Sequence, residues 1–245
     1  MTTSSGVSGA DGSYSSPPYV MQELDSNFSG SVVDPVQTRD VARLRKAVHT
    51  RLIAARLTLE IGEREANASL IAQDLDRIVT HCADPIVSVY WPFRGEPDLR
   101  TWMTTLHSRG TGVALPAVLA KGQPLQFRIW QPSAPIARAV WEIPFLADGA
   151  VVVPTLVIAP LVVFDPTGFR LGYGGGFFDR TLAALDSKQI AAGVGHPTVA
   201  KPTIYPQPHD IPMDRIVTGI AHSTRDLANR SIRHDTRRHG SIVRW

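Results

Sequence analysis

Leu156-Val-Ile-Ala-Pro-Leu-Val-Val-Phe-Asp-Pro-Thr-Gly-Phe-Arg-Leu-Gly-Tyr-Gly-Gly-Gly-Phe-Phe-Asp-Arg180 is the stretch whose reading decides the fold of this chain. It opens on the most apolar run in the sequence, and Leu156–Ala159 is predicted as the central strand of a buried sheet. It ends where a helix is predicted, from about Phe177 to Leu185. Between the two lies a glycine loop, and in open α/β sheets ligands bind beyond the carboxyl ends of the strands, where such loops meet helix N-termini. Glycine lets a backbone approach an anion closely, and a helix N-terminus offers unpaired N–H groups with partial positive charge. Arg170 and Arg180 bracket the loop, and guanidinium forks match phosphate oxygens in pairs. Asp179 in the first helical turn suits a hydrated magnesium ion. The same residues also read as a flexible turn, with Asp179 complementing the helix dipole and Phe177 and Phe178 anchoring core. No Lys-Ser/Thr pair closes a Walker loop, and the Gly172, Gly174, Gly176 spacing misses the dinucleotide fingerprint.

Outward from this stretch, strands and helices alternate. From Arg39, the residues Val41, Leu44, Val48, Leu52, Ala55 and Leu59 follow helical spacing, with Arg43, Lys46 and Arg51 elsewhere on the cylinder. A second helix is expected around Ala66–His81, carrying Leu70, Ile71, Leu75 and Ile78. Strands are expected at Ile86–Trp91, Gly112–Pro116, Gln126–Trp130, Ile190–Val194 and Ile216–Thr218, with a helix near Leu99–Ser108. Trp141–Pro144 reads as a less regular connection. This pace implies a largely parallel or mixed sheet covered on both faces, an α/β three-layer sandwich.

The 245 residues suffice for one large α/β domain, assigned here to residues 35–222. Residues 1–34 are a Ser/Gly-rich leader expected to be disordered, and they carry Asp11, Glu23 and Asp25 but no Arg or Lys, unlike a transit peptide. Residues 223–245 form a basic tail that accounts for much of the +3 net charge. Without an aromatic ladder or zinc spacing, that tail argues for a solvated extension rather than a nucleic-acid reader. No apolar run reaches membrane-spanning length, so a soluble cytoplasmic protein is expected. Cys82, the one cysteine, excludes an internal disulfide and is expected to be a small buried residue. The histidines show no zinc spacing, and no nucleophile elbow is present.

The Leu156–Arg180 stretch resembles the signature of the 5-formyltetrahydrofolate cyclo-ligases, also called methenyltetrahydrofolate synthetases. The similarity extends from about Val41 to Thr218 through Leu44-Arg45 with Arg51, Gly95-Glu96, Leu115-Pro116, Ile143-Pro144 and His209-Asp210. It implies a fold similar to the NagB/RpiA/CoA transferase-like group. It also implies an ATP- and magnesium-dependent ligase that converts 5-formyltetrahydrofolate to 5,10-methenyltetrahydrofolate, releasing ADP and phosphate.

By position, the resemblance assigns the nucleotide to Arg45 and to Arg170, Leu171, Gly172, Tyr173, Gly174, Gly175, Gly176, Phe177 and Phe178. It assigns the folate to Glu96 and the Tyr173–Phe177 run, magnesium to Asp179 and Asp210, and catalysis to Arg170, Tyr173 and Asp179; Trp91, a candidate for the folate, reads either as pterin packing or as core. A carboxylate such as Glu96 accepts paired N–H bonds from a pterin edge. Phe93 and Phe127 read either as pterin packing or as core. The chain departs from the family pattern at Val41, where a lysine is usual, at Phe178, where tyrosine is common, and near Ala200, where a glutamine is absent. These departures motivate two alternatives: a non-catalytic nucleotide- or folate-binding relative, and an accessory RNA-binding role for the basic tail.

Overall fold

The computed structural model describes residues 35–138, 144–146, 148–185, 189–197 and 200–220. The leader, the basic tail, residues 221–222 of the expected domain and Trp141–Ile143 lie outside the described residues. Seven strands form one mixed sheet in the order β11-β10-β7-β1-β2-β3-β6. These are β1 (Ile86–Ser88), β2 (Gly112–Ala117), β3 (Gln126–Ile129), β6 (Val151–Val152), β7 (Leu156–Pro160), β10 (Ile190–Val194) and β11 (Arg215–Val217). The run from β11 to β2 is parallel, and β3 and β6 add antiparallel strands at one edge. The middle position belongs to β1 rather than to β7, which is flanked by β10 and β1.

Strand alternation sends consecutive side chains to opposite faces. Leu156 and Ile158 of β7 join Val87, Val113 and Val194 in a core covered by α2 (Ile61–Val79) and α3 (Arg100–Ser108). Val157 and Ala159 join Ala114, Ala191 and Ile216 on the other face, under Leu182 of α4 (Phe177–Ala184). The three layers expected from the sequence are therefore present. Ile71, Leu75, Met103, Leu106, Leu156 and Ile158 are fully buried, each contributing about 1.5–3 kcal/mol relative to exposure. No helix among the described residues is long and apolar enough to cross a membrane.

Three local readings need correction. On α1 (Pro35–Leu57), Leu44 is exposed and the packed side carries Arg45, Val48, His49, Leu52, Ile53 and Arg56. Cys82 is half-buried just past α2 rather than in the core. Arg170–Leu171 does not simply follow the apolar strand: it is β9, paired antiparallel with β8 (Val163–Phe164). Asp165 closes that hairpin by accepting from the Thr167 and Phe169 N–H groups at 3.0 and 3.2 Å. A second hairpin, β4 (Ile136–Arg138) with β5 (Pro144–Leu146), was likewise not signalled by composition. α1 packs Val48 and Leu52 against Val163 and Leu171, which brings this helix over the glycine run.

Candidate active site

A cavity of about 550 Å³ opens at the carboxyl ends of the strands. The glycine run forms one wall, with Gly174 (φ +85°) and Gly176 (φ +62°) in the left-handed region that favours glycine. Gly174 and Gly175 are exposed to the cavity, and Gly176 caps the N-terminus of α4. A Cβ on Gly175 would meet the Phe177 ring at 2.8 Å, so the loop is both open on one side and tightly backed on the other.

Arg170 is 4% exposed, and its guanidinium lies 3.4 Å from Asp179 and over the Phe178 ring at 5.4 Å. Burial pushes its pKa down and the charges of Asp179 and Asp210 hold it up; it stays a cation. Asp179 also accepts the Ile211 N–H at 3.2 Å, which joins α4 to the 207–211 turn. Asp210 is engaged by both Arg45 amino groups, at 2.7 and 3.2 Å, and accepts the Gln207 N–H at 2.7 Å. Arg45 from α1 thus reaches the pocket rim through Asp210. Arg180 turns away: its Nη2 donates to the Gly175 carbonyl at 2.5 Å and its guanidinium lies over the Phe177 ring, so it staples the loop instead of facing the cavity.

The opposite end of the cavity is the 90–96 segment. Glu96 is 6% exposed and accepts the Phe93 N–H at 2.9 Å. Desolvation raises its pKa to about 7, against the opposing influence of Arg56, the Phe93 N–H and Tyr173. The Tyr173 hydroxyl accepts from Arg56 Nη2 and donates to the Phe93 carbonyl at 3.1 Å. Burial pushes this phenol well up, so it remains neutral at working pH. Trp91 lies half-buried beside Glu96 with the Arg100 guanidinium 5.6 Å from its ring.

The residues singled out from the sequence converge here. Arg45, Trp91, Glu96 and every residue from Arg170 to Asp179 line the one cavity, at its opposite ends. Asp210 stands just behind the lining, beside His209, and is held by Arg45. Phe127 is buried in the core and takes no part, whereas Phe93 lines the cavity and tilts against Tyr173. The sequence reading missed Arg56, His49, Arg94 and Lys121. Arg94 and Lys121 line the pocket, and His49 stacks edge-on to Tyr173 at 5.6 Å. The first two of the missed residues share the helical face of Arg45, a spacing visible in the sequence. A larger groove of about 750 Å³ lies on the α2–α3 side of the same segment. It contains Glu65, Asp76, Glu96 and Asp98 against Arg64 and Arg100 and none of the glycine run, an acidic balance that disfavours anionic ligands there.

A sequence model of the 5-formyltetrahydrofolate cyclo-ligase family matches residues 37–219. The 5-formyltetrahydrofolate cyclo-ligase of Haemophilus influenzae is 29% identical over 177 residues, covering 69% of this chain and 93% of that protein. The Mycolicibacterium smegmatis enzyme of the same name is 26% identical over 185 residues, covering 72% and 94%. The solution structure of Aquifex aeolicus 5,10-methenyltetrahydrofolate synthetase superposes with a TM-score of 0.64 at 22% identity, over 82% of this chain and 97% of that one, which shows a shared fold. With a family match that spans both α1 and the glycine run, this chain belongs to the 5-formyltetrahydrofolate cyclo-ligase family.

Proposed function

We propose that the chain is an ATP- and magnesium-dependent ligase that closes 5-formyltetrahydrofolate to 5,10-methenyltetrahydrofolate, releasing ADP and phosphate. The observation that carries this reading is a single cavity with an anion-ready glycine wall at one end and the buried Glu96 carboxylate at the other. A formamide oxygen is a poor leaving group. Transfer of the γ-phosphoryl group to it breaks the bond to ADP and forms an O–P bond. The folate N10 then attacks the formyl carbon, loses its proton, and phosphate departs with the former formyl oxygen. Such a transfer needs chiefly positioning and charge neutralisation. In this assignment the exposed N–H groups of the glycine run and Arg170 hold the phosphates, Arg45 reaches them from α1, and Glu96 accepts from the pterin ring.

Magnesium fits the wall formed by Asp179 and Asp210. Both carboxylates lie close enough to Arg170 to hold up its charge, and the Asp179–Arg170 contact is long at 3.4 Å. A cation that keeps most of its waters needs one or two such ligands beside phosphate oxygens. Bound there, it would neutralise developing charge on the transferred phosphoryl group. Asp179 would be the freer ligand, since Asp210 is held by both Arg45 amino groups, for which a phosphate would be a replacement partner.

The test is turnover. The full chain with 5-formyltetrahydrofolate, ATP and magnesium should produce the methenyl absorbance, and Arg170→Ala and Asp179→Ala should abolish most of it. Full activity in either variant would refute the site. Absence of product at high concentration of the unaltered protein would leave the non-catalytic binding relative that Val41 and Phe178 motivate.

A further inference from the structure

α1 turns Arg45, His49 and Arg56 to its packed side, at spacings of four and seven residues that align on a helix. Arg45 serves the phosphate end through Asp210; Arg56 serves the other end. Its side chain is buried, Nε donates to the Arg94 carbonyl at 3.0 Å, Nη2 donates to the Tyr173 hydroxyl, and the guanidinium lies 5.6 Å from the Tyr173 ring centroid. Nη1 is buried with no hydrogen-bond partner among the described residues. Tyr173 passes the contact on to the Phe93 carbonyl, and the Phe93 N–H holds Glu96. The turn that carries Glu96 has left-handed backbone at Arg94 (φ +48°) and Gly95 (φ +74°), and His196 supports it by hydrogen bonding the Gly95 carbonyl at 2.9 Å.

A buried guanidinium with a spare donor and a buried carboxylate each carry a desolvation cost alone, and each offsets the other when close. We propose that Arg56 is a positioning residue for folate recognition: through Tyr173 and the 93–96 turn it holds the Glu96 carboxylate as an acceptor for the N–H donors of the pterin ring. The inference rests on the folate reading above and deepens it. It makes pterin selection depend on a cation outside the glycine run, on a helix whose other end serves the nucleotide.

Charge state follows from the same geometry. Desolvation already brings Glu96 to about 7, with Arg56 the foremost group opposing it. Tyr173 from the glycine run and Tyr90 after β1 also act on Glu96, His196 after β10 holds the Gly95 carbonyl next to it, Arg94 lines the same cavity, and Arg64 and Glu65 of α2 with Asp98 and Arg100 line the groove that Glu96 shares on its other side. Tyr90 and Tyr173 are held neutral by burial, and burial likewise lowers His196, so Arg56 is the buried cation of the set. Without it, Glu96 keeps its proton above neutral pH and turns a donor toward a donor.

Two measurements test this. The first follows the Glu96 carboxylate by carbon-13 NMR in the protein alone, assigned with Glu96→Gln: Arg56→Met should raise its titration midpoint by about one pH unit or more. Tyr173→Phe should raise it less, and Arg56→Lys should restore part of the shift. The second follows the KM for 5-formyltetrahydrofolate against pH at saturating ATP and magnesium. KM should rise as pH falls through about 7 in the unaltered protein, and Arg56→Met should move that rise to higher pH, with a loss at pH 7 of about fivefold or more that falls on KM rather than kcat. Superimposed midpoints and KM profiles for Arg56→Met and the unaltered protein overturn the proposal. Should Arg56→Met fail to fold, an unmoved midpoint in both Arg56→Lys and Tyr173→Phe overturns it equally. Should the unaltered protein make no methenyl product, the folate reading fails with its substrate, while the NMR midpoint still decides whether Arg56 governs Glu96.

Discussion

Glu96→Gln should make the protein more stable and a worse enzyme, and the gain should depend on pH. Glu96 is 6% exposed, and its pKa moves from 4.5 to about 7, with desolvation the largest cause. At about 1.4 kcal/mol per pH unit, that displacement corresponds to roughly 3 kcal/mol of destabilisation by the ionised form. Below 4.5 the carboxyl is protonated folded and unfolded, so nothing is lost. As pH rises from 4.5 through 7 the unfolded chain releases the proton first, and stability falls until the full penalty is present. Glutamine keeps an acceptor for the Phe93 N–H and removes the charge. Thermal melts of the two proteins should therefore differ by roughly 6–12 °C at pH 8.5 and by less than about 2 °C at pH 4.5, at roughly 2–4 °C per kcal/mol for a domain of this size. The same change should raise the KM for 5-formyltetrahydrofolate about 10–100-fold at pH 8.5, the worth of a charge-assisted hydrogen bond. A stability difference that is the same at both pH values would show that Glu96 is not ionised against desolvation, and the reasoning would fail.

Arg45→Met should destabilise the fold by about 3 kcal/mol, because it takes the closest cation from Asp210, 4% exposed in its side chain, and leaves it the Gln207 N–H, the more distant Arg170 and His209 at 3.7 Å. Urea denaturation checks it; a midpoint unchanged from the parent would mean that the pair holds nothing. Asp179→Asn should weaken nucleotide binding in the presence of magnesium far more than in its absence, so that calorimetric titrations with and without the metal converge in the variant. Equal losses under both conditions would remove Asp179 from the metal.

The layers and the site were legible for a shared reason. The parallel strands are buried on both faces, so Leu156–Ala159 and Ile190–Val194 read as continuous apolar runs. Glycine stands in the loop where φ is positive, at Gly174 and Gly176, and where the backbone lies exposed to the cavity. The β8–β9 hairpin escaped notice because its strands are two residues each, too short for alternation to register. Asp165-Pro-Thr-Gly168 has the residue types of a tight turn, and only that turn chemistry marks it. The left-handed Arg94 beside Gly95 is invisible to pattern altogether, since composition does not distinguish a turn that aims Glu96 inward from one that leaves it in water.

α1 shows where periodicity misleads and why. An apolar stripe locates a buried face only when what is buried is apolar. Here the packed side holds Arg45 and Arg56, each matched by carboxylate, carbonyl or phenol oxygens that belong to other elements, and Leu44 is left outside. Charges moved inward flatten the amphipathic contrast, and the apolar positions that remain point to a face rotated from the true one. The corrective signal is alignment among the polar residues themselves. Arg45 and Arg56 fall on one stripe with His49, and a helix has no reason to align two arginines on its buried side unless acceptors await them. In this chain those acceptors stand at both ends of one pocket, Asp210 behind the glycine wall and Tyr173 beside Glu96. Shifting α1 against the sheet would therefore disturb both ends of that pocket together.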